Sequence, residues 1–598
     1  MGQKVITNKM SETIKTFITP LQKEGSWILP TARNYSLNGE VSAVRSNHNV
    51  HDLLPTLPLD TLKHVVDHYG TRAIHHLFGS RPGDVLMIPM PESHTNRVAP
   101  LASWIQKNTG VNVAFIPQDP RQLPLAAGAT VVGAPYYKSY VQEELMNQNS
   151  PYHYETWGPK AEHSEQLKSK RRFHELITGN KKEIETLLHS MGVEGNSVLP
   201  YEISKGKEQT ISAVSERLAS IAQMYSEVAQ YLQANENSKD ASLIANYEPG
   251  VVLRLAMGDG AFGTLFVKQV NGDYEVSYEK DKYRFSSEQE LNAFLTETLG
   301  DDEYILTRMV DVLETPSVGV YLNEGEVQAM PITTQFMKNG SCVGGGSNNS
   351  SSNGFMNHVA PYAKAMQALS TAMTYNYTGG AQKQGHIGFD YIIAGEKERL
   401  LCQVVETNPY LAAKTSNVRA IPYGKEVTDL AIVESNPRFT SLSLTVWPIL
   451  MTTMFADLKA GNRDNTDVTV DDIAQFYGQA NAQGESGAFA VWDYVNLPPL
   501  DELQTYNRRN GTGNLESMLV DYIDAFNAHY AKQGIFLVPR ITVEQNADNP
   551  QQLTSSVGIG MKPTAVPENL AMFKQLVAQI TEHGLTTNLL SNSNYFLT

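Results

Sequence analysis

Asp390, Glu406 and Asn408 are the residues whose types and spacing offer the clearest chemistry in this sequence. They fall in IGFDYII and LLCQVVETN, two β-rich runs joined by AGEKER, a polar link containing Gly395. Folding the runs symmetrically about that link predicts a hairpin with Asp390 opposite Glu406. Side chains alternate faces along a strand, so Glu406 and Asn408 then share a face with Asp390. Two carboxylates and an amide oxygen converging there make a hard, oxygen-only site that suits Mg²⁺, its shell completed by water and phosphate. The plainer alternative is a solvent-facing hairpin whose acids only keep it soluble.

Two further segments carry phosphate or nucleoside chemistry. GVVLRLAMGDGAFGTLFV runs from Gly250 to Val267, an apolar strand with Arg254, then Gly258, Asp259, Gly260 and Gly263, then a second apolar strand. Glycines let a backbone approach a ligand closely, and successive N–H groups can cradle phosphate oxygens. No helix follows, so the segment is a strand–loop–strand flap or an ordinary hairpin turn, and not a Walker loop or dinucleotide fingerprint. In YILTRMVDVLETPSVGVYL, a strand passes through Arg308, Met309 and Val310, and Glu314 follows. Backbone groups of such a hinge can pair with an adenine edge, and an acid just after it can hold ribose hydroxyls.

The elements that must position these residues belong to a large chain. At 598 residues it exceeds a single core, so three or four packed units are expected. A formal charge of -16 argues against broad nucleic-acid binding, which needs basic surface to displace counterions. Two cysteines, Cys342 and Cys402, cannot build a disulfide framework, which favours a reduced, cytoplasmic setting. The N-terminus lacks an apolar core region, so no secretory signal is read there, and Met10 offers an alternative start. The apolar stretch Val446 to Met454 is too short to span a bilayer and reads as a buried helix or strand.

Along the chain, GDVLMIPMP, a helix around Arg97 to Thr109, and VNVAFIP predict an α/β layer with parallel strands. Its dinucleotide-binding version is disfavoured, because no G-x-G-x-x-G sits between strand and helix in the first 160 residues. From the basic LKSKRRFHELI, helices are expected to about Asn237, and strands from Gly250 to Pro331. GGGSNNSSSNG, Gly344 to Gly354, predicts a mobile low-complexity loop, and a helix is expected over His358 to Tyr375. After about Leu444 helices mix with the strand-like runs GAFAVWDYV and GIFLVPRITV; SSVGIGMKP carries no motif tied to chemistry.

Taken in order, Lys170, the flap with Arg254, the hinge with Glu314, Asp390 and the E-x-N of Glu406 and Asn408 resemble the ATP-grasp pattern. The resemblance covers about residues 165 to 440. With an α/β domain ahead of it, the layout is similar to amino-acid and peptide ligases that carry a pre-ATP-grasp domain, such as the pheganomycin type. It implies an α/β and α+β multidomain fold: a pre-ATP-grasp α/β domain over 1–160, an ATP-grasp domain over 161–440, and a C-terminal α/β region over 441–598. The ATP-grasp part divides into an N-lobe, 161–310, and a C-lobe, 311–440.

By that resemblance Lys170 holds phosphate, and Arg254 stands where a second lysine is usual, its planar fork differing from a point charge. Gly258, Asp259, Gly260 and Gly263 form the flap, Arg308, Met309 and Val310 the adenine hinge, and Glu314 the ribose acid. Asp390, Glu406 and Asn408 are the implied metal ligands. Two departures stand out: Gly388 lies where an arginine often precedes the first metal acid, and ETNPY places Tyr410 where family members often carry E-x-N-P-R. Lys414 and Arg419, just downstream, are candidates for the missing positive charge, alongside Arg254 as catalytic cations.

The implied reaction uses ATP and Mg²⁺, two ions, with Mn²⁺ as a substitute. A carboxylate, expected to be an amino acid or peptide, takes the γ-phosphoryl group to give an acyl phosphate and ADP, and an amine then displaces phosphate to form an amide. His358 and His386 are weak candidates for a general base. Partners are small-molecule carboxylate and amine substrates, without nucleic acid or membrane, and with homodimerisation open. The alternatives are a phosphotransferase on the same nucleotide site and a non-catalytic nucleotide-binding protein.

Overall fold

The computed structural model describes the chain nearly continuously from 169 to 436, apart from 191–195, 257–263, 347–358 and shorter gaps. Outside that span it describes separate strands and helices between 43 and 156 and between 451 and 587. Among the described residues no helix is long and apolar enough to cross a membrane.

The first sheet has five strands: β1 (Ala43–Ser46), β2 (Val85–Pro89), β3 (Asn112–Ile116), β4 (Thr130–Gly133) and β5 (His153–Thr156). They run in the order β3-β2-β1-β4-β5 with every neighbour parallel, as the alternating pattern predicts. Helix α1 (Glu92–Thr109) joins β2 to β3 and buries Ala102, Trp104 and Ile105. A parallel pair needs such a crossover, which accounts for the helix between two short apolar runs.

Helices α2 (Lys170–Gly179) and α3 (Lys181–Ser190) lead to the short strand β6 (Asn196–Val198). A six-stranded antiparallel sheet then forms from β7 (Tyr201–Lys205), β8 (Gly250–Leu255), β9 (Thr264–Val270), β10 (Asp273–Tyr278), β11 (Asp281–Phe285) and β12 (Glu303–Arg308). The β9–β10 turn reads Asn271-Gly272, both with positive φ (51° and 90°), the pair that a two-residue hairpin demands. Helices α4 (Lys207–Ala234), α5 (Ser238–Ala245) and α6 (Glu288–Thr298) complete this unit. In the polar NENSKD stretch only 235–237 form the turn between α4 and α5; Asn237 caps α5 through its side chain, Ser238–Asp240 open that helix, and the helices end later than expected. Val251 and Leu253 point into this core with the α4 residues Ile221 and Val228, so Arg254 must face the other way.

The second large sheet has eight strands and includes β6, β13 (Val312–Glu314), β14 (Pro316–Asn323), β15 (Glu326–Lys338) and β16 (Ser341–Gly346). Its remaining strands are β17 (Gln384–Ala394), β18 (Ile421–Tyr423) and β19 (Leu430–Asn436). Gly344 to Gly346 therefore end a strand, while 347–354, the rest of the expected loop, lies outside the described residues. Helix α7 (Ala363–Thr378) covers one face, its Met366, Leu369 and Met373 packed on Val318, Ile387 and Phe389. Phe173 and Ile177 of α2 and Ile184 of α3 enter this same core, so α2 belongs by packing to the second sheet, although it precedes the first in sequence.

The predicted second strand of the Asp390 hairpin does not form. Glu396–Thr407 is helix α8, followed by helix α9 (Pro409–Lys414). The valine-rich run suggested a strand, but Leu401, Val404 and Val405 recur at helical spacing and are the residues α8 buries in the α4 core. Glu396 and Glu398 in the first turn favour a helix start, and the Asp311 side chain supplies the missing cap, accepting the Lys397 N–H at 3.1 Å. Gly395 is required there, because an added Cβ would run into the Asp311 carboxylate.

Towards the C-terminus, β20 (Phe489–Trp492), β22 (Ile535–Gln545) and β23 (Leu553–Met561) make a three-stranded antiparallel sheet; β21 (Val495–Asn496) and β24 (Thr586–Thr587) form a separate pair. The strand-like runs of the sequence are these strands, and 451–459 is helical with Met451 and Met454 buried. Asp524 accepts from Trp104 Nε1 and Lys107 Nζ, both at 2.8 Å, tying α1 to this region.

Candidate functional site

Site residues converge where the two large sheets meet. Ser169 caps α2 by accepting the Arg172 N–H, so Lys170 opens the helix and His174 follows one turn later on the same side. The Lys170 backbone N–H donates to Ala256 O at 2.8 Å, just past β8, while its side chain crosses to β19, Nζ lying 3.8 Å from Glu434 Oε2. Arg254, near the end of β8, also reaches β19: Nη1 is 3.4 Å from Val433 O and 3.5 Å from Glu434 Oε2. Lys170 and Arg254 are only 7% and 6% exposed, so these are two cations drawn out of water onto one carboxylate. Burial lowers the Arg254 pKa, with Glu434 opposing that shift.

Asp390 completes the acidic half. In register it faces Ser317 on β14 and Glu434 on β19. Its Oδ1 accepts from Gln335 Nε2 at 2.6 Å and its Oδ2 from Asn436 Nδ2 at 2.7 Å; that amide nitrogen also lies 3.4 Å from Glu434 Oε1. Like charges directly opposite on neighbouring strands destabilise a sheet. Here the Asn436 amide bridges them, and Lys170 and Arg254 supply compensating charge. Two carboxylates and a reversible amide make a donor set that a small, hard cation fits. The Arg254 Nε, buried and without a hydrogen-bond partner, remains for an anion that arrives with it.

The structure thus brings together Lys170, Arg254 and Asp390 from the expected set, but pairs Asp390 with Glu434 and Asn436 in place of Glu406 and Asn408. Glu406 is exposed near the end of α8, and the Asn408 oxygen caps α9, accepting the N–H of Tyr410 at 3.0 Å and of Leu411 at 3.3 Å. Both belong to helices packed on the α4 core, so the face-sharing argument that joined them to Asp390 loses its premise. The sequence carries a signal for this second pair: Glu434-Ser435-Asn436-Pro437-Arg438 reads E-x-N-P-R, the form ETNPY lacks. Pro437, Arg438 and Arg419 lie outside the described residues, as do the flap residues Gly258, Asp259, Gly260 and Gly263. The strands flanking that flap are the antiparallel neighbours β8 and β9, with Arg254 opposite Thr264.

The hinge is only partly open to a ligand. Arg308 is 1% exposed and turned into the core, where it pairs with both carboxylate oxygens of Glu398 and donates to Val418 O at 2.8 Å. Met309 N–H donates to Gly250 O at 2.7 Å, while Val310 and Glu314 are half-buried. Gly388 is buried on β17, opposite Gly319 and Asn436. Lys414 does not supply the charge missing at 388: it sits on the α4 side, 3.2 Å from Glu227 and over the Tyr410 ring. Lys414→Ala is therefore expected to leave stability close to that of the wild type, measured by chemical denaturation. Of the histidines, His386 is on β17, two residues before Gly388, and His358 lies outside the described residues.

His174 was not anticipated. It is 1% exposed, and burial, with Arg254 and Lys170 adding to it, holds its pKa well below the ordinary 6.5. Such a histidine stays neutral when folded but takes a proton when unfolded, so stability is full above the unfolded value and falls as pH drops below it. The expected loss is about 1.4 kcal/mol per pH unit for this one proton. Denaturation of wild type and His174→Gln across that range should differ by this slope.

No family model matches the sequence, and no curated protein matches it. Among solved structures the chain is similar to an N5-carboxyaminoimidazole ribonucleotide synthetase in complex with ADP, at 11% identity and TM-score 0.41, over 94% of this chain and 99% of that one. It is also similar to the biotin carboxylase domain of the 2-oxoglutarate carboxylase of Hydrogenobacter thermophilus with MgADP and bicarbonate, at 12% identity and TM-score 0.40, over 88% of each chain. A third is the Aspergillus clavatus N5-carboxyaminoimidazole synthase with ADP and its aminoimidazole ribonucleotide, at 9% identity and TM-score 0.39, over 91% of this chain and 99% of that one.

Proposed function

We propose that the chain is an ATP-dependent ligase of the ATP-grasp type, joining a carboxylate, an amino acid or peptide, to an amine through an acyl phosphate. The observation that carries this reading is the cross-strand pair Asp390–Glu434, bridged by Asn436, with Lys170 and Arg254 buried against it. Bound Mg-ATP supplies the transferable phosphoryl group, its charge partly neutralised by the metal. Asp390, Glu434 and Asn436 would hold the metal, and Lys170 and Arg254, buried beside Glu434, would grip phosphate oxygens at the same junction. Val310 and Glu314 are the positions left for base and ribose.

The test is a phosphate-release screen with amino acids and dipeptides in pairs, followed by mass spectrometry. The reading expects ADP, phosphate and a new amide only when carboxylate and amine are both present. A stable phosphorylated small molecule as product contradicts it in favour of a phosphotransferase.

A further inference from the structure

We propose that His174 is a positioning residue that fixes the Arg254 guanidinium at the mouth of the phosphate site by accepting its hydrogen bond. This rests on the nucleotide-binding reading above and adds a residue that the reading does not need. His174 Nε2 lies 3.4 Å from Arg254 Nη2, a different nitrogen from the Nη1 that contacts Val433 O and Glu434. The ring is held flat against Tyr201, centroids 4.6 Å apart and planes 23° apart, and Phe173 meets its edge at 5.3 Å. Its orientation is therefore set by packing before any ligand arrives.

Three observations separate this role from simple core filling. An aromatic stack here would be served as well by phenylalanine, which carries no buried nitrogen. His174 instead leaves Nδ1 buried and without a hydrogen-bond partner, a desolvation cost that apolar packing does not repay. Facing a guanidinium, which can only donate, Nε2 has to be the acceptor, and the proton then sits on Nδ1. Burial, with the neighbouring Arg254 and Lys170 adding to it, holds the ring in that neutral form. If Glu434 turns to a metal, Arg254 loses one of its acceptors, and His174 with Val433 O keeps the guanidinium from swinging into the space it must occupy.

Calorimetric titration of Mg-ADP into the full-length protein tests this, with the KM for ATP as second readout. A glutamine oxygen falls near the position of Nε2, and an asparagine oxygen near that of Nδ1. His174→Gln is expected to keep affinity near wild type, whereas His174→Asn and His174→Phe weaken it about tenfold, the scale of one charge-assisted hydrogen bond, raising KM more than they lower kcat. In an Arg254→Ala background, His174→Asn should have no further effect. Equal affinity across Gln, Asn and wild type, equal losses in Gln and Asn, or additive losses in the Arg254→Ala background overturn the positioning role and leave the nucleotide site standing. A wild type that does not bind Mg-ADP overturns both. The Gln and Asn comparison decides the matter even if the phenylalanine variant does not fold.

Discussion

Replacing Glu434 with alanine is expected to lower Mg-ATP-dependent ADP release by at least about 100-fold, the scale of losing metal-assisted charge stabilisation worth several kcal/mol. Asp390→Ala should act similarly, because the two carboxylates face each other across adjacent strands and share the Asn436 amide. Glu406→Ala, by contrast, should leave turnover unchanged, since Glu406 is an exposed residue near the end of a helix. The contrast is diagnostic because E-x-N-P occurs twice, at Glu406–Pro409 and at Glu434–Pro437. Steady-state ADP release by the three variants, each with its circular dichroism spectrum, decides between the two copies. A loss in Glu406→Ala with activity retained in Glu434→Ala would restore the hairpin site and remove the one described here.

The largest stability effect is expected at Glu398. Arg308 and Glu398 are 1% and 3% exposed and pair bidentately, with Tyr225 OH 3.4 Å from Arg308 Nη1 and Tyr247 OH donating to Glu398 at 3.0 Å. Burial alone would lower the Arg308 pKa, but Glu398 and the two tyrosines raise it well above the ordinary value. Burial likewise pushes the Tyr225 hydroxyl up to about 12. The network joins the end of β12 to the first turn of α8, and Tyr247 OH also accepts the Asp311 N–H. Glu398→Ala leaves a buried guanidinium without its counter-charge, so a loss of about 3–5 kcal/mol is expected in chemical denaturation. Replacing both partners with apolar residues, Arg308→Met with Glu398→Leu, should recover much of that loss. A single variant as stable as wild type would show that the pair is not the tie between hinge and α8.

How much of this was legible in the sequence can be judged from particular elements. The parallel layer was readable because VLMIP and NVAFI are short apolar runs on either side of an 18-residue helix. The β8–β9 hairpin and Arg254 were readable because the strand pattern breaks only at glycines. Lys170 was readable as a basic helix start, although its packing against the second sheet was not. α8 was misread because Val404 and Val405 raise β-propensity locally, whereas their spacing from Leu401 and the cap from Asp311, 86 residues away from Lys397 in sequence, favour a helix. That misreading placed Glu406 and Asn408 beside Asp390, where the sheet instead sets Glu434 and Asn436. Asp390 and Glu434 are 44 positions apart, and only the β17–β19 pairing shows that they face each other. His174 escaped notice because a lone histidine carries no pattern; its meaning comes from Arg254, 80 residues on.

If Asp390, Glu434 and Asn436 hold a divalent ion whose nucleotide is gripped by Lys170 and Arg254, nucleotide binding must depend on that ion. Titration calorimetry of ADP into wild type, Glu434→Ala and Glu406→Ala, each with Mg²⁺ and with EDTA, tests it most directly. The predicted result is Mg²⁺-dependent binding in wild type and Glu406→Ala, with the Mg²⁺ dependence lost in Glu434→Ala. Metal-independent binding in wild type, or undiminished Mg²⁺-dependent binding in Glu434→Ala, would contradict it.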